Sequence, residues 1–160
     1  MDRIDKIINH PAFREHLRKN QEAEKDRHFC RHDITHLLDV ARIGMIINLE
    51  EGLNIERELI YGAALLHDIG RHMQYAQGTP HERASAEIAP VILRDCGFEN
   101  WETNVIITAI LHHRNRDAAQ ELSLRGVLYR ADKASRPCYI CSAERECNWK
   151  DEKKNKNVCY

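Results

Sequence analysis

Tyr61-Gly62-Ala63-Ala64-Leu65-Leu66-His67-Asp68-Ile69-Gly70 is the stretch on which the reading of this chain turns. A run of small and apolar residues with helical character ends abruptly in an imidazole and a carboxylate, with Gly70 close behind. Such side chains at the end of a buried helix are costly to desolvate unless something pairs with them. A bound divalent cation would do so directly, because His and Asp both ligate one. A helix terminus whose polar residues face water explains the dipeptide equally well. The rest of the chain decides between the two.

Working outward, nearly everything reads as helix. Glycines number seven and prolines four, and few segments alternate with period two. The fold class is therefore all-α. A helical region over residues 2–25 is interrupted near His10-Pro11, where Pro can open a new helix in its first turn. Residues 20–27 are polar and charged and read as solvated. Asp33 is a plausible N-cap for a second long helix ending near Glu50. Its Leu37, Val40, Ala41, Gly44 and Ile47 follow helical spacing. The central helix covers residues 55–67. Residues 70–80 read as a loop or a short irregular helix. Residues 82–96 are helical, with Pro90 expected to kink them. Further helices are expected over 101–113 and 118–133. Beyond Arg136-Pro137 the composition shifts to a short Cys-bearing appendix, which ends in a charged tail over 150–157. The division is thus one helical domain, 1–136, and an appendix, 137–160.

The 160 residues suffice for a sizeable core. With 42% hydrophobic and 31% charged residues, the composition is that of an ordinary soluble globular protein. Twenty-four Lys and Arg against 25 Asp and Glu give a net charge of -1, which offers no electrostatic case for nucleic-acid or membrane binding. No apolar run approaches the roughly 20 residues that span a bilayer. Met1-Asp2-Arg3-Ile4-Asp5 is charged where a signal peptide needs an apolar core, so a cytoplasmic protein is expected.

Ten histidines are many for this length. His36 lies one turn into the second helix. His67 and Asp68 end the central one. His81 opens the next, His112 and His113 close the amphipathic one, and Asp132 sits deep in the last. A lone His on an apolar face is more often a satisfied core residue than a ligand. Here the residues form an ordered series, His…His-Asp…His…His-His…Asp, over five successive helical segments.

That series resembles the HD-domain superfamily of metal-dependent phosphohydrolases. The resemblance covers residues 30–136. Its core signature is carried by His36, His67, Asp68 and Asp132, in the contexts His36-Leu37-Leu38-Asp39-Val40-Ala41-Arg42, Ala64-Leu65-Leu66-His67-Asp68-Ile69-Gly70 and Ala131-Asp132-Lys133. The resemblance implies an HD-domain helical bundle with a divalent cation on those four side chains. His81 and the His112/His113 pair match the further histidines of members that hold two metals, with Asp68 as the bridge. The spacing does not settle which of His112 and His113 ligates. In a three-metal phosphodiesterase branch an acidic ligand lies four residues before the first His. Here His32 stands at that place, as a possible outer ligand. The glycine-tyrosine-proline segment of that branch is replaced by Arg114-Asn115-Arg116-Asp117, which argues against cyclic-di-nucleotide hydrolysis.

The mixed donor set fits Mn²⁺, Fe²⁺, Zn²⁺, Co²⁺ or Ni²⁺ better than Ca²⁺. The implied chemistry is metal-assisted hydrolysis, in which Asp68 holds the ions and an activated water attacks phosphorus. The substrate would be a small nucleotide or another phosphate ester. Arg71, Arg114 and Lys133 are the cationic candidates for contact with its phosphate, and Arg71 and Lys133 are also catalytic candidates. A metal-binding regulatory domain without turnover, or a di-iron oxygenase, is the alternative. Specificity depends on residues 71–80 and 114–120, which carry no recognition motif.

Four of the six cysteines, Cys138, Cys141, Cys147 and Cys159, fall in the appendix. Thiolates so spaced can hold structural Zn²⁺ or an iron–sulfur cluster. A second Cys-x-x-Cys is missing, and the last Cys sits beside the C-terminus. The reading we take is reduced thiols packed against the core, with Trp149 as an anchor.

Overall fold

The computed structural model describes residues 2–160. Eight α-helices and three short 3₁₀ segments account for its regular structure, and there is no strand among the described residues. Helix α1 is Arg3–Asn9 and α2 is Pro11–Ala23, separated at His10, whose Nδ1 accepts from the Ala12 N–H. Asp33 caps α3, Ile34–Glu50, with its carboxylate accepting from the Thr35 and His36 N–H groups. Helix α4 is Arg57–Leu66. Residues 71–77 are a regular helix, α5, rather than a loop. Gly78, in the left-handed conformation at φ 73°, ends it. Helix α6, His81–Asp95, runs through Pro90 without interruption. Helix α7, Asn100–His112, opens with a capping box between Glu99 and Glu102.

The single helix expected over 118–133 is two elements. A 3₁₀ segment, Arg116–Gln120, is followed by an extended break, and α8 is Leu124–Ala134. The break folds back tightly on α8. A Cβ at Gly126 would lie 1.9 Å from the Glu121 carbonyl oxygen, so only glycine admits the turn.

Helix α4 is the hub, contacting α1, α3, α6, α7 and α8. Leu65, Leu66 and Ile69 on and after it are fully buried, together with Leu37 of α3, Ile106 and Ile110 of α7, and Val127 of α8. The turn after α4 comes so close to α6 that a Cβ at Gly70 would be 2.6 Å from the Ser85 backbone nitrogen. The Gly70 N–H donates to Ser85 Oγ at 3.0 Å. That approach brings Asp68 against the start of α6.

One expectation about a polar segment is overturned. Asn20 and Glu24 in the supposedly solvated 20–27 stretch are buried. They lie seven and eleven residues after buried Phe13 and so share its inward face. The charged tail folds back on the bundle: Asn155 Nδ2 donates to the Lys133 and Arg136 carbonyls, each at 2.8 Å, and Lys154 Nζ to the Glu144 carbonyl at 2.8 Å. Among the described residues no helix is long and apolar enough to cross a membrane.

Candidate metal centre

Asp68 is the meeting point. His36 and Asp132 come from the start of α3 and the end of α8, His67 from the end of α4, His81 from the start of α6 and His113 from the end of α7. His36, His67, Asp68 and Asp132 form one group whose ligand atoms lie within 4.8 Å of one another, and Asp68, His81 and His113 form a second. All six residues are buried. The two carboxylate oxygens of Asp68 divide between the groups. Oδ2 is 3.5 Å from His36 Nε2 and 3.2 Å from His67 Nε2. Oδ1 is 3.2 Å from His81 Nε2 and 3.8 Å from His113 Nε2. Asp132 Oδ1 lies 3.5 and 3.7 Å from His36 and His67 Nε2.

The second ring nitrogens are occupied elsewhere. His67 Nδ1 donates to the Ala64 carbonyl at 2.7 Å, His113 Nδ1 to the Ile110 carbonyl at 2.6 Å and His81 Nδ1 to Gln74 Oε1 at 2.6 Å. These bonds fix each ring with Nε2 toward the cluster, as outer hydrogen bonds orient metal-ligating histidines. His36 Nε2, His67 Nε2 and Asp68 Oδ1 are buried with no hydrogen-bond partner. Orphaned polar atoms are expensive in a protein interior, and divalent cations satisfy all three. The donor set therefore fits metal.

Burial pushes His36 and His113 down to about 4 and His81 to about 3. These rings are unprotonated near neutrality, as ligation requires. Burial acts the same way on His67, but the Asp68 and Asp132 carboxylates outweigh it and raise His67 to about 10. Both carboxyls stay well below their ordinary range in spite of burial. The His67 and His32 rings hold Asp68 down, and His67, Arg136 and Lys133 hold Asp132 down.

Of the histidine pair, His113 joins the cluster. The His112 ring is partly exposed and donates to the Thr108 carbonyl at 2.7 Å, outside both groups. His32 belongs to neither group, although its Nε2 is 3.8 Å from Asp68 Oδ2. Its Nδ1 donates to Glu24 Oε1 at 2.6 Å. Burial would raise the Glu24 carboxyl, but hydrogen bonds from the His32 ring and backbone and from Tyr75 bring it to about 2.

Three buried contributors were not singled out in the sequence. Asn20 Nδ2 donates to the Asp68 carbonyl at 2.9 Å, and its Oδ1 accepts from the His72 N–H at 2.8 Å, which clamps the turn bearing Asp68 to α5. Glu24 orients His32. Arg136 Nη2 donates to Asp132 Oδ1 at 3.2 Å. The helical spacing of Phe13, Asn20 and Glu24 was the available signal.

A cavity of about 410 Å³ opens over the cluster. Arg71, Arg114 and Lys133 all line it, with Arg136, Phe29 and Trp149. Lys133 Nζ donates to Asp132 Oδ2 at 2.6 Å. The Arg71 guanidinium lies 3.2 Å from the His81 ring, and Arg114 is exposed, 3.5 Å from Glu82.

Comparison with known proteins places this centre in context. The family description "HD domain" matches residues 33–137. An uncharacterized protein of Clostridium beijerinckii is 46% identical over 160 residues, the full length of both chains. The crystal structure of a predicted HD superfamily hydrolase from an uncultured Thermotogales bacterium aligns with a TM-score of 0.63 and 28% identity, covering 88% of this chain and 80% of that one. The match takes in His36, His67, Asp68, His81, His113 and Asp132, and by it the chain belongs to the HD-domain family.

Proposed function

We propose that this protein hydrolyses a small phosphate ester, with a nucleotide as the substrate class. The observation that carries the reading is the division of the Asp68 carboxylate between two buried imidazole groups at the floor of a cavity with a cationic rim. His36, His67, Asp68 and Asp132 would hold one divalent ion, and Asp68, His81 and His113 a second. Such ions supply Lewis acidity toward phosphoryl oxygens and an activated water. The imidazole and carboxylate donors suit Mn, Fe, Zn, Co or Ni.

The chain's own side chains do the remaining work. Arg71, Arg114 and Lys133 line the cavity and offer cationic donors to phosphate oxygens. Lys133 and Arg136 also hold Asp132 ionised and in place. Phe29 and Trp149 give the cavity aromatic surface for a base. Its volume is within the range of small-molecule sites.

The test is a panel of phosphomonoesters and phosphodiesters incubated with protein loaded separately with each metal, beside Asp68→Ala. Phosphate or ester release should depend on the metal and fall at least about a thousandfold in the variant, equivalent to roughly 4 kcal/mol. Stoichiometric metal with no release from any ester would defeat the reading and favour a regulatory domain or oxygen chemistry.

A further inference from the structure

A second cavity, about 490 Å³, lies beside the first. Phe29, Cys30, Arg136, Cys138 and Cys147 are common to the walls of both. Four thiols line it: Cys30 from the loop before α3, and Cys138, Cys141 and Cys147 from the appendix. Cys159 is exposed and is not in this wall, and Cys96 is buried in the hydrophobic core. The four sulfurs therefore come from opposite ends of the chain. Cys138-Tyr139-Ile140-Cys141 is wound into a 3₁₀ turn closed by the Cys141 N–H on the Cys138 carbonyl at 3.2 Å, and Cys147 ends the next turn, its N–H on the Ala143 carbonyl at 3.0 Å.

Apolar packing does not account for the order of this appendix. Ala143 is its one buried hydrophobic residue, and Tyr139, Ile140, Val158 and Tyr160 are exposed. Beyond the bonds from Asn155 and Lys154, a cross-link or a metal would help offset the entropy of fixing so short a segment. The wall also carries an unpaired donor. Arg136 is buried and pairs with Asp132 through Nη2, but its Nε has no hydrogen-bond partner. A buried guanidinium N–H left unpaired is costly, and an anionic thiolate centre would satisfy it.

The size of the cavity bears on the kind of centre. A tetrahedral zinc with Zn–S bonds of about 2.3 Å draws its thiolates to roughly 3.8 Å from one another. Among the described residues, no group of three ligand atoms within 4.8 Å of one another includes a cysteine. A cavity of about 490 Å³ walled by four thiols has room for a polynuclear cluster instead.

We infer that Cys30, Cys138, Cys141 and Cys147 ligate a [4Fe–4S] cluster that staples the appendix to the helical bundle. The thiols bind as thiolates and release their protons to solvent, with iron and sulfide as the other components. With four thiolates the oxidised cluster is a dianion, and it faces Arg136. Cys30 lies two residues before His32, and Arg136 donates to Asp132, so the staple would brace two walls of the first cavity. The inference is independent of the hydrolase reading, since it uses none of the six residues of the buried cluster.

The test is acid-labile sulfide, visible absorption and the Mössbauer spectrum of the full chain isolated without oxygen from iron-replete cells. Wild type, Cys159→Ser and Asp68→Ala should each carry about four sulfides per chain, and Cys30→Ser should lose at least about tenfold. Asp68→Ala separates cluster iron from iron in the neighbouring centre. The inference is overturned by wild-type protein without sulfide, by zinc in its place, or by a cluster that survives Cys30→Ser and is lost in Cys159→Ser. If Cys30→Ser does not fold, the wild-type sulfide content and the presence or absence of tetrathiolate iron still decide.

Discussion

Five imidazole Nε2 atoms, from His32, His36, His67, His81 and His113, lie between 3.2 and 3.8 Å of an oxygen of Asp68. Burial opposes a charge on His67, but the Asp68 and Asp132 carboxylates beside it prevail and raise it to about 10, while Arg136 and Lys133 also offset Asp132. His67 holds its proton at pH 7 to 8, above the ordinary imidazole value and below its own. A divalent ion arriving at His67 must displace that proton. Titrating metal in buffers of different ionisation enthalpy should therefore show release of about one proton per chain at pH 7.5; no release would mean that His67 is neutral or is not a ligand. The histidine pair gives a second outcome at this scale. Neighbouring residues on a helix point about 100° apart, so only one of His112 and His113 can face the cluster. His113→Ala should lose an ion by elemental analysis, whereas His112→Ala should keep full occupancy.

Among the elements, α2 and α5 do most to position the turn after α4. Asn20 of α2 reaches both the Asp68 carbonyl and the His72 N–H, and it is fully buried. Asn20→Ala would strand both groups. The expected cost is about 1–3 kcal/mol in urea unfolding, together with weaker metal binding. Arg18→Ala, on the exposed face of the same helix, should change stability by less than about 0.5 kcal/mol. Equal effects of the two variants would refute the clamp. The N-cap at Asp33 and the break at His10-Pro11 were legible because they are local. The inward face of α2 was not. Polar residues on a helix read as solvated until the partner that buries them is known, and that partner is the turn at Asp68. The break before α8 was likewise hidden, because the 118–133 pattern is apolar enough for one helix and only the close approach at Gly126 ends it.

For the whole molecule, six ligand-type side chains drawn from five helices converge on one end of the bundle, so metal and fold are thermodynamically linked. An ion at a hundredfold excess over its Kd stabilises by about 2.7 kcal/mol. For a chain of this size that corresponds to a rise in Tm of roughly 5–10 °C. Thermal melts with and without a chelator should show the difference, and Asp68→Ala should abolish it. An unchanged Tm in saturating metal would mean that the centre does not bind in the folded state.

The all-α class, most helix ends and the ordered set of imidazoles and carboxylates were legible along the chain, since caps, prolines and helical periodicity act over a few residues. His36, His67, Asp68, His81 and Asp132 stood out as candidate ligands from their order along the chain, and the fold gathers them into the two buried groups. Hidden from the sequence were that His113 and not His112 faces the centre, that the Asp68 oxygens divide between two groups, that Asn20, Glu24 and Arg136 support them, and that Cys30 joins Cys138, Cys141 and Cys147 around one cavity. Those outcomes depend on how helices pack and on which distant segments meet, and local spacing along the chain carries no information about either.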